Sequence, residues 1–573
     1  MKKWFQVVAV ILSICLILTA CAPAGEDVGS NGNAADSQKV ENLKKLCKVW
    51  GYTKYNHPAF LLGEKDWDKE LLNLIPVVSE AKDDEVNDIL HEWFASLGEI
   101  DYGTLNRVTI WAGAKEEDKS VQANIDWICK DYLGEELTED LSQLGPVPNI
   151  NRTKAPVKFD EYGVADFSNE LSYVDMDYRD SNYRLMGLFR VWNIIEYYFP
   201  YLNLTDKNWE SILPEYISKM LEELDKNNYY LTLLEMLTVL HDGHITLWDN
   251  VNVLYQYFGK YSVPVELTMV GKDWVVSKVW DNSCMLQQGD IIRKVEDIEI
   301  EERVEKVKQY VSVPNEEKMV KKISPWLLRS DKEMIKVDIS REGEEMLLEI
   351  EGTENYYSST KQSTVSHQLL DGNIGVINPS QVKDNEIDSI MKEFQSTEGL
   401  IIDLREYPIA NDFSVLLSYI MRGQEVMYAY KASQAVPGSF VKERQWAGNI
   451  TPSNPYYKQR GIYEYSGKVV VLIDQLTQSF PELYALVMEK SDQVTLLGSN
   501  TLGSVANISL IPLPGGNTIS FSSVGVTTTK GEKVQRVGVV PDIEVHPTIE
   551  GIREGRDELM EAAVKYIKEQ KNG

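Results

Sequence analysis

A chain of 573 residues, 43% of them hydrophobic, is long enough to form several domains with large buried cores. Its formal net charge of −30 argues against nucleic acid or anionic lipid headgroups as partners, because like charges repel. Outside the N-terminal apolar segment and its junction, the only cysteines are Cys47, Cys129 and Cys284, whose odd number and wide spacing indicate neither a disulfide framework nor a zinc cluster.

The chain begins with the pattern of an export signal. Two lysines precede an apolar run at positions 7–18, and small residues lead from there to Cys21. The run is short for a membrane span, which needs about 20 residues, so we predict a signal peptide over 1–21. A cysteine at this junction resembles a bacterial lipoprotein signal, which implies lipidation of Cys21 and anchoring to the outer face of the bacterial cell membrane. Residues 22–40, rich in small and polar side chains, are predicted to form a flexible tether.

Two segments of the N-terminal half resemble each other. The first begins LKKLCKVWGYTKYNHPAF at Leu43, and the second begins LMGLFRVWNIIEYYFPYL at Leu185. Apolar residues recur at helical spacing in the second copy, and its tryptophans match those of the first at one common offset. We therefore predict duplicated helical units over 41–155 and 156–255, with the aromatic residues in their cores.

Only the second unit carries a histidine at its end. It reads HDGH from His241 to His244, with Gly243 as the expected helix terminator, whereas the first unit has Asp101 at the place of His244. His244 is either a polar residue of a turn or a functional base. A zinc site built from the two histidines lacks a clear third ligand, so we predict no metal and no cofactor.

The remaining chain divides into a β module and an α/β core. Short alternating strands over 256–352 contain a Gly-Asp-Ile-Ile turn at Gly289 that resembles PDZ domains, which bind peptides at a sheet edge. From 360 to 573 strands alternate with helices, which predicts a sheet covered by helices.

Ser479 lies in this core, between an apolar strand and a helix. With Glu482 it forms the Ser-x-x-Glu pattern of a capping box, and Pro481 fits the first helical turn. In the alternative interpretation the turn exposes the hydroxyl beside helix N–H groups that could bind an oxyanion, which would suit a nucleophile. A nucleophilic serine also needs a base.

Together these motifs resemble the C-terminal processing and tricorn-type serine peptidases. The resemblance depends on their order: Asp-Gly-His, the PDZ-like insert, IIDLR at Ile401, Ser-x-x-Glu, TLGS at Thr501 and GVVPDIEV at Gly538. It implies an α+β multidomain fold with duplicated helical units, a PDZ-like module and a core of repeated ββα units of the crotonase kind.

The resemblance also implies the roles of individual residues. The processing branch uses a lysine where this chain has Ser504, so the tricorn-like branch, in which a histidine is the base, is favoured. The implied residues are Ser479 as nucleophile, His244 as general base, Gln535 as a candidate orienting residue, and the N–H groups of Phe480 and of Ile409 or Ala410 as the oxyanion hole.

The expected function is that of an exported, membrane-tethered serine peptidase acting on peptides or proteins. The alternative is a catalytically degenerate relative that binds peptides or another surface ligand. Gln535 and the glycine-free loop at 405–411 favour the alternative, whereas the joint presence of Ser479 and His244 favours the enzyme. The sequence does not indicate an oligomeric state.

Overall fold

The computed structural model describes residues 30–100, 119–120, 123–147, 150–249, 252–281, 284–315, 318–354, 365–408, 414–448 and 461–570. Its helices are α1 (Ser30–Asn56), α2 (Pro58–Leu61), α3 (Trp67–Glu80), α4 (Asp83–Ser96), α5 (Lys130–Ser142), α6 (Ser181–Tyr198), α7 (Trp209–Leu221), α8 (Lys226–Thr238), α9 (Val253–Phe258), α10 (Ile300–Lys308), α11 (Val320–Leu327), α12 (Ile387–Glu393), α13 (Ser414–Ile420), α14 (Phe480–Met488), α15 (Ile549–Glu554) and α16 (Glu558–Gln570). Short 3-10 helices cover Leu202–Leu204, Asp384–Glu386 and Phe394–Ser396.

The strands form several separate sheets. They are β1 (Lys119–Ser120), β2 (Lys158–Phe159), β3 (Ala165–Asp166), β4 (Thr246–Trp248), β5 (Tyr261–Ser262), β6 (Val265–Val270), β7 (Asp273–Val279), β8 (Ile291–Val295), β9 (Ile298–Glu299), β10 (Arg329–Ser330), β11 (Met334–Arg341), β12 (Glu344–Glu351), β13 (Thr353–Glu354), β14 (His367–Leu370), β15 (Ile374–Ile377), β16 (Gly399–Asp403), β17 (Gln424–Ala432), β18 (Phe440–Ala447), β19 (Lys468–Ile473), β20 (Val494–Gly498), β21 (Ile508–Pro512), β22 (Thr518–Ser522), β23 (Gly525–Thr528) and β24 (Ile543–Glu544). The molecule is therefore a mixed α+β, multi-sheet protein.

The two helical segments repeat one arrangement. In the first, the Trp50 indole N–H donates to the Trp67 carbonyl oxygen at 2.9 Å, and α3 begins at Trp67. In the second, Trp192 donates to the Trp209 carbonyl oxygen at 3.3 Å, and α7 begins at Trp209. All four rings are buried, so each indole pairs its N–H inside an apolar core, where an unpaired donor would be costly.

Helix α1 begins earlier than the predicted tether allows. Residues 30–40 are helical, although the flexible tether was expected to extend to residue 40. The end of this stretch is held by α3, because Lys39 pairs with Glu80 at 2.8 Å and Asn42 donates to the Val78 carbonyl oxygen at 3.1 Å. Residues 1–29, including the predicted signal and Cys21, lie outside the described residues.

A buried ion cluster joins the two helical units to each other. Arg190 of α6 contacts Asp68 of α3 at 2.7 Å and Glu170 at 3.0 Å, and Lys54 of α1 contacts Glu170 at 2.6 Å. Arg190 also donates to the Pro512 carbonyl oxygen in β21 at 2.8 Å. All four side chains are buried. Removing one partner would leave an uncompensated buried charge, so the cluster fixes the relative placement of these segments.

The segment predicted to be PDZ-like forms a six-stranded antiparallel sheet. Its strand order is β12-β11-β8-β7-β6, with β9 paired to β8, so β6 is an edge of the sheet. Helix α11 packs against β6 and α10. Gly289 has a φ of 87°, a conformation that favours glycine, and Asp290 after it binds Arg341 of β11 at 2.7 Å. The PDZ-like assignment of this β module stays a prediction.

The C-terminal core is built on a six-stranded sheet of order β14-β15-β16-β19-β20-β24. All its strands are parallel except β14, which pairs antiparallel with β15. On β19, Val469 and Val471 face a core shared with α12, α13 and α14, whereas Val470 and Leu472 face α16. Because both faces are covered, the strand is apolar without alternation. The crotonase-like assignment of this core also stays a prediction.

A three-stranded sheet of order β21-β22-β4 joins the second helical unit to the core. Strand β4 begins two residues after His244 and pairs with β22 of the core, with Thr246 opposite Ser520. The neighbouring hydroxyl of Ser520 donates to the His244 carbonyl oxygen at 2.7 Å. The end of the second unit is thereby fixed beside the core sheet. Among the described helices, none is both long and apolar enough to cross a membrane.

Candidate active site

Ser479 adopts a strained backbone conformation at the start of α14. Its φ is 67° and its ψ is −118°, a region that side chains with a Cβ rarely occupy. Its N–H donates to the Ser504 carbonyl oxygen at 2.9 Å, and its hydroxyl makes no capping hydrogen bond. The turn lies beyond the carboxyl end of parallel strand β19, the usual place for ligands in such sheets. The capping-box interpretation of Ser479 is therefore wrong.

Glu482 binds a neighbouring loop instead of returning to Ser479. Its carboxylate accepts hydrogen bonds from the Thr501 hydroxyl, from the Gly503 N–H at 2.7 Å and from the Ser504 N–H at 3.0 Å. Burial raises the pKa of this carboxyl, while these three bonds lower it. The loop at 501–504 is thus fixed under the first turn of α14, which explains the Ser-x-x-Glu spacing without a capping box.

His244 lies in the interior, with only 9% of its surface exposed. Its Nδ1 is 2.7 Å from the hydroxyl oxygen of Ser522, at the end of β22. Its Nε2 is buried and has no hydrogen-bond partner among the described residues. This nitrogen therefore makes no hydrogen bond with Ser479.

The Ser522 hydroxyl connects the Asp242 carboxylate to the His244 ring. Its carboxylate accepts hydrogen bonds from the Ser522 hydroxyl at 2.7 Å and from the Ser522 N–H at 2.7 Å, whereas its nearest oxygen is 3.9 Å from His244 Nδ1. Because the hydroxyl donates its only proton to the carboxylate, it can only accept from Nδ1–H of the imidazole. This assigns the proton of neutral His244 to Nδ1 and leaves the lone pair on Nε2.

The surroundings of His244 keep the ring neutral. Burial lowers the pKa of His244 to about 4, with further lowering by the cations Lys322 and Lys321, while Asp242 raises it. At neutral pH the imidazole is therefore unprotonated and able to accept a proton at Nε2. These features suit a general base.

Gln535 contacts Asp242 and not His244. Its side-chain N–H donates to the Asp242 carboxylate at 3.2 Å, and its amide oxygen is buried without a partner among the described residues. Gln535 was predicted as a candidate orienting residue, but the ring is contacted by the Ser522 hydroxyl and not by Gln535. Gln535 supports the carboxylate from the other side.

The loops that carry Ser479 and His244 are joined directly. Gln478 donates to the Gly243 carbonyl oxygen at 2.9 Å, and the Gly243 N–H donates to the Ser504 hydroxyl at 2.8 Å. A Cβ at Gly243 would lie 2.5 Å from that hydroxyl oxygen, so a larger residue would push the loops apart. Gly243 is not the helix terminator that was predicted, since α8 ends at Thr238. Its small size is needed for this contact instead.

Of the residues predicted to form an oxyanion hole, the structure describes only Phe480. Phe480 is the first residue of α14, where helix N–H groups lack partners within the helix and can bind an anion. Ile409 and Ala410, the predicted second donors, lie outside the described residues, as does Asp101 of the first helical unit. No cluster of three or more metal-ligating side chains occurs in the part of the chain that the structure describes.

Two cavities adjoin these loops. The larger, about 1460 Å³, lies between edge strand β6 and the turn at 474–476, and Arg405 and Asn500 also line it. The smaller, about 360 Å³, is mostly apolar and is lined by Ile245 and Thr246. Lys321 of α11 lines both cavities, so this helix lies between them.

Comparison with known proteins agrees with this architecture. Residues 373–545 match the family model described as peptidase family S41. The chain carries an S41 peptidase domain. The prediction of a C-terminal processing type of serine peptidase is thereby confirmed at the level of the family.

Solved structures resemble the chain beyond the S41 domain. A mutant of CPAF shares 12% identity, with 65% of this chain and 94% of that chain covered, at a TM-score of 0.52. Mature CPAF complexed with lactacystin also shares 12% identity, with 68% and 99% covered, at a TM-score of 0.50. Identity this low establishes the fold alone. The photosystem II D1 C-terminal processing protease matches at 17% identity, 65% and 98% coverage, and a TM-score of 0.38.

Some residues of the candidate site were not found from the sequence. Asp242 stood inside the HDGH motif, but its carboxylate was not assigned a role. Ser522 lies 278 positions from His244, and nothing in its local sequence indicates a contact with the imidazole. Lys321 and Lys322 look like ordinary surface residues of a helix, and only the packing of α11 brings them to the site.

Proposed function

We propose that this protein is an exported, membrane-tethered serine peptidase in which Ser479 is the nucleophile and His244 the general base. One observation carries the proposal. His244 is buried and its Nδ1 is hydrogen-bonded to Ser522, while its Nε2 has no partner among the described residues. The loop that carries His244 is hydrogen-bonded to Gln478, the residue that precedes Ser479. A purely structural histidine would be expected to use both ring nitrogens when it is buried.

The geometry supports a tricorn-like mechanism. Nε2 of His244 accepts the Ser479 proton as the hydroxyl oxygen attacks the scissile carbonyl. The Nδ1–H of the resulting imidazolium donates to the Ser522 hydroxyl. That hydroxyl donates in turn to the Asp242 carboxylate, whose negative charge thereby stabilises the imidazolium. His244 then gives the proton to the leaving amine as the C–N bond breaks. In the second half, His244 takes a proton from water as the water oxygen attacks the acyl-enzyme, and returns it to Ser479 as the bond to the serine oxygen breaks and the acid product leaves.

The oxyanion of the tetrahedral intermediate needs donors that face the attacked carbonyl. The N–H of Phe480 follows the nucleophile directly, at the N-terminal end of α14. A second N–H from Ile409 or Ala410, which follow strand β16, completes the proposed hole. The strained conformation of Ser479 is consistent with this arrangement, because strain of this kind concentrates at functional sites.

The Ser479–His244 hydrogen bond must form when substrate binds. Such bonds are often long without substrate and tighten in the Michaelis complex. Ser504 stands where the processing branch of the family has its lysine, and it contacts both loops of the candidate site. Its hydroxyl accepts from Gly243 and its carbonyl accepts from Ser479, so it holds the two loops at a fixed spacing.

A fluorophosphonate probe tests the proposal. Wild-type protein should be labelled, and both Ser479→Ala and His244→Ala should abolish labelling and peptide hydrolysis while leaving the fold intact. Ser491→Ala is a matched control, because Ser491 follows the same helix and its hydroxyl donates to the Ile420 carbonyl oxygen, away from the candidate site. Folded wild-type protein that is neither labelled nor active over a range of pH and peptides would favour the degenerate, ligand-binding alternative.

The membrane tether is the second part of the proposal. It rests on the lipoprotein-like junction at Cys21 and on the following small, polar residues. Lipidation there would place the peptidase on the outer face of the bacterial cell membrane, with peptides or proteins outside the cytoplasm as substrates.

A further inference from the structure

Helix α11 of the β module brings two neighbouring lysines to the two loops of the candidate site. The Lys321 ammonium donates to the Leu476 carbonyl oxygen at 2.8 Å, three residues before Ser479. The Lys322 ammonium donates to the Ile245 carbonyl oxygen at 3.1 Å and to the Thr246 hydroxyl at 3.3 Å, directly after His244. One helix thus contacts both loops, although it belongs to neither the helical unit nor the core.

The position of the lysines in a helix explains how they reach two loops. Consecutive residues of an α-helix point about 100° apart, so neighbouring side chains diverge. Lys321 extends toward the core, and Lys322 extends toward the end of the second helical unit. A further contact joins the same parts, because Gln475 donates to the Thr268 hydroxyl of β6 at 3.1 Å.

The lysines also act on the base through their charge. Burial lowers the pKa of Lys321 to about 8 and that of Lys322 to about 8, with partial compensation by Asp474 and Glu482 for the first and by Asp242 for the second. Near neutral pH both are cations. Together with burial they oppose protonation of His244, while Asp242 favours it.

We propose that Lys321 and Lys322 are positioning residues of the peptidase, through which the β module holds the Ser479 turn and the His244 loop in register. The β module is then part of the catalytic assembly, and the site is complete only while α11 is docked. This inference rests on the proposed peptidase function, but the contacts it invokes can be tested without activity.

Amide hydrogen exchange of the full chain tests the contacts. Lys322→Met should speed exchange at residues 245–247, and Lys321→Met should speed exchange at 474–477, each by about tenfold, because a charged hydrogen bond of typical strength is lost. Lys306→Met is a matched control, because it removes an exposed lysine of the same module and should leave both segments unchanged. Wild-type exchange at both segments in both variants would overturn the proposal.

The pH profile of kcat/KM tests the electrostatic part. Lys322→Met should move the acid limb to higher pH, since the cation that lowers the His244 pKa is gone, whereas Lys322→Arg should restore the limb. A merely structural loss would lower activity without moving the limb, and that result would contradict the proposal.

If wild-type protein proves unreactive, the proposed function fails and the exchange comparison alone decides the role of the lysines. If Lys322→Met does not fold, the Lys321→Met comparison at 474–477 decides it.

Discussion

The Ser522 hydroxyl lies 2.7 Å from His244 Nδ1 and, on its other side, 2.7 Å from an Asp242 oxygen. A serine therefore connects imidazole and carboxylate where serine peptidases commonly have a direct contact. Because a hydroxyl can accept one hydrogen bond while donating its own proton, Ser522 fixes the orientation and the tautomer of the ring, and no charged group of the described residues is hydrogen-bonded to the ring nitrogens.

The first prediction concerns this connection. Ser522→Ala should lower kcat by roughly 100-fold, because His244 loses the acceptor that orients its Nδ1–H and stabilises the imidazolium. Ser523→Ala is the control, since the next residue is also buried but bonds to the Asn507 carbonyl oxygen. Steady-state kinetics on a peptide substrate would measure the change. If kcat fell by the same small factor in Ser522→Ala and Ser523→Ala, a role for the Ser522 hydroxyl between Asp242 and His244 would be contradicted.

The second prediction concerns acid pH. Activity of the wild-type protein should fall with a midpoint near pH 4, because the pKa of His244 is lowered to about 4 and a protonated ring cannot accept the serine proton. Asp242→Asn should shift the midpoint of the remaining activity to lower pH, since the carboxylate raises that pKa. A wild-type midpoint near 6.5, the unperturbed value of histidine, would indicate a solvated imidazole.

The same pKa affects stability. In the unfolded chain His244 binds a proton below about 6.5, whereas the folded protein resists protonation down to about 4. The unfolded state thus binds more protons between these values, and His244 makes folding less favourable as the pH falls through this window. His244→Gln should flatten the corresponding part of a stability–pH curve measured by urea denaturation.

The third prediction concerns strain at Ser479. Ser479→Gly should raise the free energy of unfolding by about 1 kcal/mol relative to Ser479→Ala, because glycine tolerates a positive φ without a Cβ penalty. A true N-cap serine would behave differently, since its replacement by alanine costs about 1 kcal/mol through the lost capping bond. Chemical denaturation of the three proteins would separate the two cases. Equal stability of the glycine and alanine variants would contradict the strain.

The fourth prediction concerns the buried ion cluster. Arg190→Met should destabilise the protein by roughly 3–5 kcal/mol, because Asp68 and Glu170 would be left buried with one cation instead of two. Arg179→Met, which breaks an exposed pair with Asp177, should have little effect. Thermal unfolding would show the difference. If Arg179→Met lowered the stability and Arg190→Met did not, the buried cluster would contribute no net stabilisation.

The fifth prediction concerns the proposed anchor. Cys21→Ala should release the protein from the membrane fraction or leave the precursor unprocessed, because the acceptor for the lipid is removed. Cys129→Ala, at a free cysteine of the described region, is the control and should leave fractionation unchanged. Wild-type protein found free in the medium and without lipid would contradict the anchor.

The sequence indicated the candidate site through motifs whose residues are close together in the chain. HDGH and the turn before α14 were recognisable because each chemical group stands beside a helix end. The capping box failed for a physical reason: Glu482 binds the loop at 501–504, and the competition between that loop and the Ser479 N–H depends on distant contacts. Ser522 could not be predicted because its contact with His244 arises only when β4 pairs with β22.

The pairing of β4 with β22 also determines when the catalytic machinery can exist. The ribosome makes His244 well before Ser479 and 278 positions before Ser522, and proteins emerge N-terminal end first. A growing chain that has completed only its helical units and β module has a histidine without its acceptor and no nucleophile. In the proposed peptidase, His244 therefore lacks its acceptor until the chain has been synthesised as far as Ser522, which would delay any cutting of the nascent chain by itself.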